Sequence, residues 1–151
     1  MKVRDILKLK GPRVVAIAPT ETIAALCKLL REKRVGAAVV SSNGRTIEGV
    51  ITERDVTYGL AIHSGEIAKL PVSALMTKTV ITCTPDDRVA TVASTMLSRA
   101  IRHIPVEDEQ RFIGMVSIRD VLSVRVSDLQ QETAQLRMFV NETDRPPQDR
   151  E

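Results

Sequence analysis

The chain has 151 residues, 43% of them hydrophobic, enough for one ordinary domain or for two very small ones that lean on each other. Its 22 Lys and Arg are interspersed with 19 Asp and Glu for a formal charge of +3, and aromatic residues make up only 2%, which argues against nucleic-acid binding: that task calls for a concentrated basic patch or a stacking platform. The two cysteines, Cys27 and Cys83, lie in apolar runs with no metal-spaced partner and read as buried reduced thiols, while the absence of a signal-like or membrane-length apolar run points to a cytoplasmic protein.

Along the chain, Arg13–Pro19 is an apolar run that stops at proline, as a strand would. Thr20 is then placed to cap a helix whose face is Ile23, Leu26 and Leu30. Val35–Val40 is a second strand, Ser41–Gly44 a turn, and GVITERDV, from Gly49 to Val56, a third strand running into a helix. His63 falls in a loop-like, solvated stretch. The order then repeats. Thr79–Pro85 matches the first run at an offset of 66, Asp86 replaces the capping threonine, and Val89, Val92 and Met96 restate the helical face. Arg102–Glu107 follows at an offset of 67, then a shorter turn over Glu107–Gln110, then GMVSIRDV from Gly114 to Val121 at an offset of 65.

Each half therefore reads as strand, helix, strand, turn, strand, helix. A unit of about sixty residues buries only about 60% of its unfolded surface, so two copies are expected to pack face to face around one shared core. The paired Gly-hydrophobic-x-Thr/Ser-x-Arg-Asp motifs, Arg102-His-Ile-Pro-Val106 and the two strand-ending prolines resemble the tandem CBS domain pair, or Bateman module. The resemblance covers Val3 to about Val126. It implies an α/β (α+β) fold of two pseudo-twofold β-α-β-β-α repeats, 1–62 and 72–126, joined by a linker at 63–71. A C-terminal helix at 127–140 and a disordered tail at 141–151 complete the expected division.

Taken alone, Thr52, Asp55, Ser117 and Asp120 can simply cap the helices that follow them. A nucleotide needs more: an acceptor for ribose hydroxyls, a hydroxyl or amide for sugar or phosphate, an apolar slot for the base and fixed positive charge. The family resemblance implies that the Asp of each motif takes the ribose and that the other repeat completes the pocket. Carried over, Thr52, Arg54 and Asp55 would work with Thr79, Val80 and Ile81 and with Arg102, His103, Ile104 and Pro105. A mirror pocket would join Ser117, Arg119 and Asp120 to Val14, Val15, Val35, Gly36 and Ala37. The first pocket has two cations, Arg102 and His103, where the second has Val35 and Gly36, so a phosphorylated ligand is expected in the first. The second either takes a nucleoside or the uncharged end of a dinucleotide, draws charge from Arg13 or Arg119, or stays empty. His103 is alternatively a strand-edge histidine bonded to backbone, and Arg54 and Arg119 are either phosphate ligands or surface partners of Glu53 and Asp120.

No nucleophile elbow, phosphate loop or metal cluster is legible, so catalysis is not expected, and neither a metal nor a catalytic cofactor. The resemblance implies instead a regulatory module in which AMP, ADP, ATP, NAD(H) or S-adenosylmethionine acts on a separate regulated protein partner, without membrane involvement. It also implies a homodimer. A purely assembling role is the alternative: Leu122, Val126, Leu129, Leu136 and Val140, with Thr133 between, form a heptad-like seam that either packs on its own module or meets a second copy. Ser127 and Gln130 suggest a capping box that would split this stretch into two helices.

Overall fold

A computed structural model describes residues 1–11 and 14–143. Its elements are α1 (Val3–Lys10), β1 (Ala16–Ile17), α2 (Ile23–Lys33), β2 (Ala37–Val40), β3 (Gly49–Thr52), α3 (Glu53–His63), α4 (Val89–Arg99), β4 (His103–Asp108), β5 (Arg111–Ser117) and α5 (Ile118–Thr143). Two 3-10 segments, Ser64–Lys69 and Val72–Ala74, bridge α3 and the second half. No described helix is long and apolar enough to cross a membrane.

The repeat is visible in the sheets. In the first half β1 runs parallel to β2, which pairs antiparallel with β3; in the second, β4 pairs antiparallel with β5. The first-strand position of the second half shrinks to one parallel bridge, Cys83 to Val106. Thr79–Pro85 is therefore not the full strand expected. Its early residues, Thr79 to Ile81, line the space between the repeats instead of pairing with β4. The expected strand at 13–19 likewise reduces to Ala16–Ile17.

The helix starts lie two residues beyond the caps expected at Thr20 and Asp86. Thr22 caps α2, its hydroxyl accepting from the Ala25 N–H at 3.1 Å, and Arg88 stands at the start of α4. A turn intervenes in both halves, closed by Glu21 N–H to the Ala18 carbonyl and by Asp87 N–H to the Thr84 carbonyl. Asp86 is occupied elsewhere, paired with Arg4 and facing Lys2 on the approach to α1.

There are two cores, not one. The first groups Ile17, Ile23, Leu26, Leu30, Ala38, Val40 and Ile51 with Ile67 and Val72; the second groups Cys83, Val89, Val92, Met96, Ile104, Val106, Val116, Val121 and Val124 with Val3 and Ile6. Each repeat thus closes over a short helical segment that precedes the other repeat in the chain. The docking is symmetric to the hydrogen bond. Val3 and Arg4 N–H groups donate to the Asp87 and Pro85 carbonyls, as Val72 and Ser73 donate to Glu21 and Pro19. Exchange of these segments does for each core what face-to-face sharing was expected to do.

α5 is one continuous helix, unbroken at Ser127 and extending through Thr143, because continuing a helix costs less than nucleating a second one. The tail expected from 141 is helical to 143, and the remainder, 144–151, lies outside the described residues. Cys83 is buried as expected, but Cys27 sits on the exposed side of α2. Burial, aided by the Asp87 carboxylate, pushes the Cys83 thiol up to about 12.

Ile6→Ala should cost about 2–5 kcal/mol in denaturant unfolding, the penalty of a core residue, although the position is almost N-terminal. In native protein at pH 8, a thiol reagent should label Cys27 promptly and Cys83 only on unfolding. Above the ordinary thiol pKa of 9.0 the unfolded Cys83 loses its proton while the folded one keeps it, so this contribution to stability should decline as pH rises toward 12, visible as a difference between parent and Cys83→Ala melts.

Candidate functional site

Between the repeats lies a cleft of about 260 Å³, lined from the first repeat by Val50, Thr52, Glu53, Arg54 and Asp55 and from the second half by Thr77, Thr79–Ile81, Ile101–His103 and Pro105. Two backbone hydrogen bonds build its floor. Val50 and Thr77 exchange N–H and carbonyl partners at 3.0 and 2.9 Å, which pins the chain after the linker against β3 and carries Thr79, Val80 and Ile81 into the opening.

At one wall β3 ends and α3 begins. The Thr52 hydroxyl accepts from the Asp55 N–H at 3.3 Å, and the Asp55 carboxylate accepts from the Thr52 N–H at 2.9 Å, a reciprocal cap. Every one of these bonds to the carboxylate falls on Oδ2. Oδ1 accepts nothing from the described residues, so the cap uses only one of the two Asp55 carboxylate oxygens.

The opposite wall is set by the alternation of β4. His103 and Pro105 face the cleft, whereas Ile104 points the other way and is only 1% exposed in the core of the second repeat. Ile104 therefore does not belong to the pocket. The sequence motif alone missed Val50, Glu53, Thr77 and Ile101; strand alternation from Thr52 and the position next to Arg102 would have found Val50 and Ile101. Val50, Val80, Ile81, Ile101 and Pro105 give the cleft apolar sides suited to a flat heterocycle.

Its charges are arranged around those sides. Arg102 is exposed at the lining and makes no ion pair among the described residues. Arg54 donates to the Ala100 carbonyl at 3.1 Å across the repeat boundary and has no bond to Glu53. His103 makes no side-chain hydrogen bond among the described residues, so the backbone-bonded alternative does not apply. Burial lowers its pKa below the ordinary value of 6.5, against the pull of Glu53. A Cβ added at Gly36 would lie 3.0 Å from the Glu53 carboxylate and 3.3 Å from the His103 ring, so both side chains converge where the two halves meet.

The mirror position is built differently. Ser117 and Asp120 reproduce the cap, with Ser117 N–H donating to Asp120 Oδ2 at 2.8 Å. Yet the Lys10 ammonium donates to that same oxygen at 2.8 Å and to the Met115 carbonyl at 2.8 Å. Asp120 is thus paired by a cation from the end of α1, not by Arg119. Arg119 is turned away and lines an open groove beside Leu122 and Val126 on α5. Val14 and Val15 are half-buried, Ala37 lies in the buried strand β2, Val35 is 39% exposed, and Arg13 lies outside the described residues.

The relatives share this architecture. A curated mitochondrial protein of Arabidopsis thaliana, the CBS domain-containing protein CBSX3, is 30% identical over 146 residues, which span 91% of this chain and 71% of its own. Among solved structures, the CBS domain protein PAE2072 from Pyrobaculum aerophilum, complexed with AMP, superposes with a TM-score of 0.71 at 28% identity, covering 80% of this chain and 89% of that one. The CBS domain pair of protein MJ0100, in complex with 5′-methylthioadenosine and S-adenosyl-L-methionine, gives 0.74 at 26%, covering 82% and 98%. The CBS domain family model matches twice, at residues 3–61 and 72–127, each match beginning at the short helical segment that the repeats exchange, and the chain belongs to the CBS domain family.

Proposed function

We propose that this protein is a regulatory module that binds an adenosine compound in the Asp55 cleft and, through the relative placement of its repeats, alters the behaviour of a separate protein. The observation that carries the reading is that Asp55, whose Oδ1 accepts no hydrogen bond among the described residues, lines an apolar-sided cleft together with Arg102, which makes no ion pair among them. A ribose diol donates to a carboxylate, the purine packs between Val80, Ile81 and Ile101, and the 5′ substituent runs toward Arg102. At about 260 Å³ the cleft holds a nucleoside, with phosphates or a sulfonium tail reaching its mouth. Adenosine compounds in the similar structures support that ligand class. The ligand touches both repeats, so it favours whichever arrangement it binds better, and by no more than that difference in affinity.

One equivalent per chain is the expected stoichiometry, because Lys10 already neutralises the mirror carboxylate. Isothermal titration of the parent with AMP should give one site, and Lys10→Ala should admit a second equivalent of adenosine, which needs no phosphate partner there. A thermal-shift titration with AMP, ADP, ATP, NAD, NADH and S-adenosylmethionine tests the reading itself. A bound compound at a hundred times its dissociation constant should stabilise by about 2.7 kcal/mol. Asp55→Ala lowers the starting melt by loss of its cap, so the increment on adding ligand is the readout; it should vanish there and shrink in Arg102→Ala. If none of the six compounds shifts the parent, the sensor reading fails.

A pH dependence goes with this reading. His103 is held below its ordinary value, so near pH 7 it is neutral and must take up a proton to meet a phosphate. Affinity for AMP should rise as pH falls from 7 to 6, with proton uptake in titrations run in buffers of different ionisation heat. Adenosine, lacking the phosphate, should show neither effect.

A further inference from the structure

We infer that the C-terminal half of α5 is one strand of a parallel, in-register, two-stranded coiled coil formed with a second copy of this chain. This goes beyond the ligand site and does not rest on it.

The helix has two opposed faces. Val121 and Val124 are buried in the core of the second repeat and anchor α5 to its own module. Leu122, Val126, Leu129, Leu136 and Val140 are all more than half exposed, and from Leu129 to Thr143 every residue is exposed. With Val126 taken as position a of a heptad, Val126, Thr133 and Val140 fall at a, and Leu122, Leu129 and Leu136 at d. Val124 falls at f, diametrically opposite the seam. The seam is therefore turned away from the module that anchors the helix.

The side chains on the seam identify the occupant. From Leu122 to Val140 the a positions are Val126, Thr133 and Val140 and the d positions are all leucine, and valine at a with leucine at d is the combination that favours two parallel strands over three or four. The flanks agree. Glu132 falls at g and Arg137 at the e position five residues later, so in a parallel pair each chain sets Glu132 against Arg137 of the other, twice by symmetry. The seam also continues without interruption from the open groove where Leu122 and Val126 meet Ile118 and Arg119. A second copy supplies matching length, matching apolar spacing and matching charge.

Disulfide trapping in the full-length chain decides the matter, in a Cys27→Ser background to remove the exposed native thiol. Thr133→Cys lies at the middle of the seam and meets its own counterpart in either strand direction; Val140→Cys, near one end, does so only if the strands are parallel and in register; Gln131→Cys lies on the outer face. Under mild oxidation Thr133→Cys and Val140→Cys should each form a covalent dimer at least tenfold faster than Gln131→Cys. Adding Leu129→Lys and Leu136→Lys to Thr133→Cys should abolish that advantage, since removing buried leucines should raise the dissociation constant of the arm by roughly a hundredfold or more. Glu132→Arg should slow trapping, and Arg137→Glu combined with it should restore the rate. Equal rates for Val140→Cys and Gln131→Cys would overturn the proposal by removing the parallel register. No intermolecular disulfide at Thr133→Cys would overturn it as well, and would assign the seam to a different protein.

Discussion

The structure depends on an exchange. A half of about sixty residues has too little interior to close, and here neither half tries to. Val3 and Ile6 complete the second core, and Val72 and Ile67 complete the first, each delivered on a short helical segment. The consequence is topological: the chain must cross between repeats, so neither can swing free without stripping its neighbour of buried side chains. The same crossing that delivers Val72 leads on to Thr77, Thr79, Val80 and Ile81, which become the wall of the cleft. Core completion and site construction are one event.

The exchange is nearly symmetric, and the differences between its two ends divide the clefts. Gly49 and Gly114 both admit a close neighbour, Met76 in one half and Leu7 in the other, and the paths diverge just beyond. After Met76 the chain passes the cleft in irregular backbone, so that small and apolar side chains line it. After Leu7 the helix continues to Lys10, whose ammonium reaches across to Asp120. A mildly basic composition spread along the chain concealed this. What separates the two pockets is where a single lysine lies.

Much of this was legible in the sequence because it is written twice. The two motifs, the helical faces and the third strands fall where period and composition put them, and Thr52, Asp55, Thr79–Ile81, Arg102, His103 and Pro105 come together around one cleft. The failures have local causes. Thr20 and Asp86 obey the capping rule but lie within hydrogen-bonded turns that precede the helix starts, and Asp86 is drawn to Arg4. Ile104 was grouped with its neighbours in the motif, whereas strand alternation sends it to the core. Exposure of Cys27 and the Lys10–Asp120 contact are invisible to periodicity, the first because α2 is buried along one face only, the second because it spans almost the whole chain.

Both motifs end in a carboxylate in the first turn of a helix, and the longer of the two helices rises from the mirror position, which gives the second repeat a mechanical reach it would not have on a loop. Asp55 opens α3, and Asp120 opens α5. A helix transmits a rotation at its base without absorbing it, and α5 has 26 residues, about 39 Å at 1.5 Å per residue. A tilt of roughly five degrees at Ser117 therefore displaces the far end by about 3 Å. Side chains in a packed seam tolerate far less than that without changing partners. Any rearrangement of the repeats is thus read most sensitively at the end of the arm and least at the cleft itself. A small ligand with a modest preference between two arrangements, about 1.4 kcal/mol for each tenfold in affinity, needs a lever of this kind if a second protein is to register the difference.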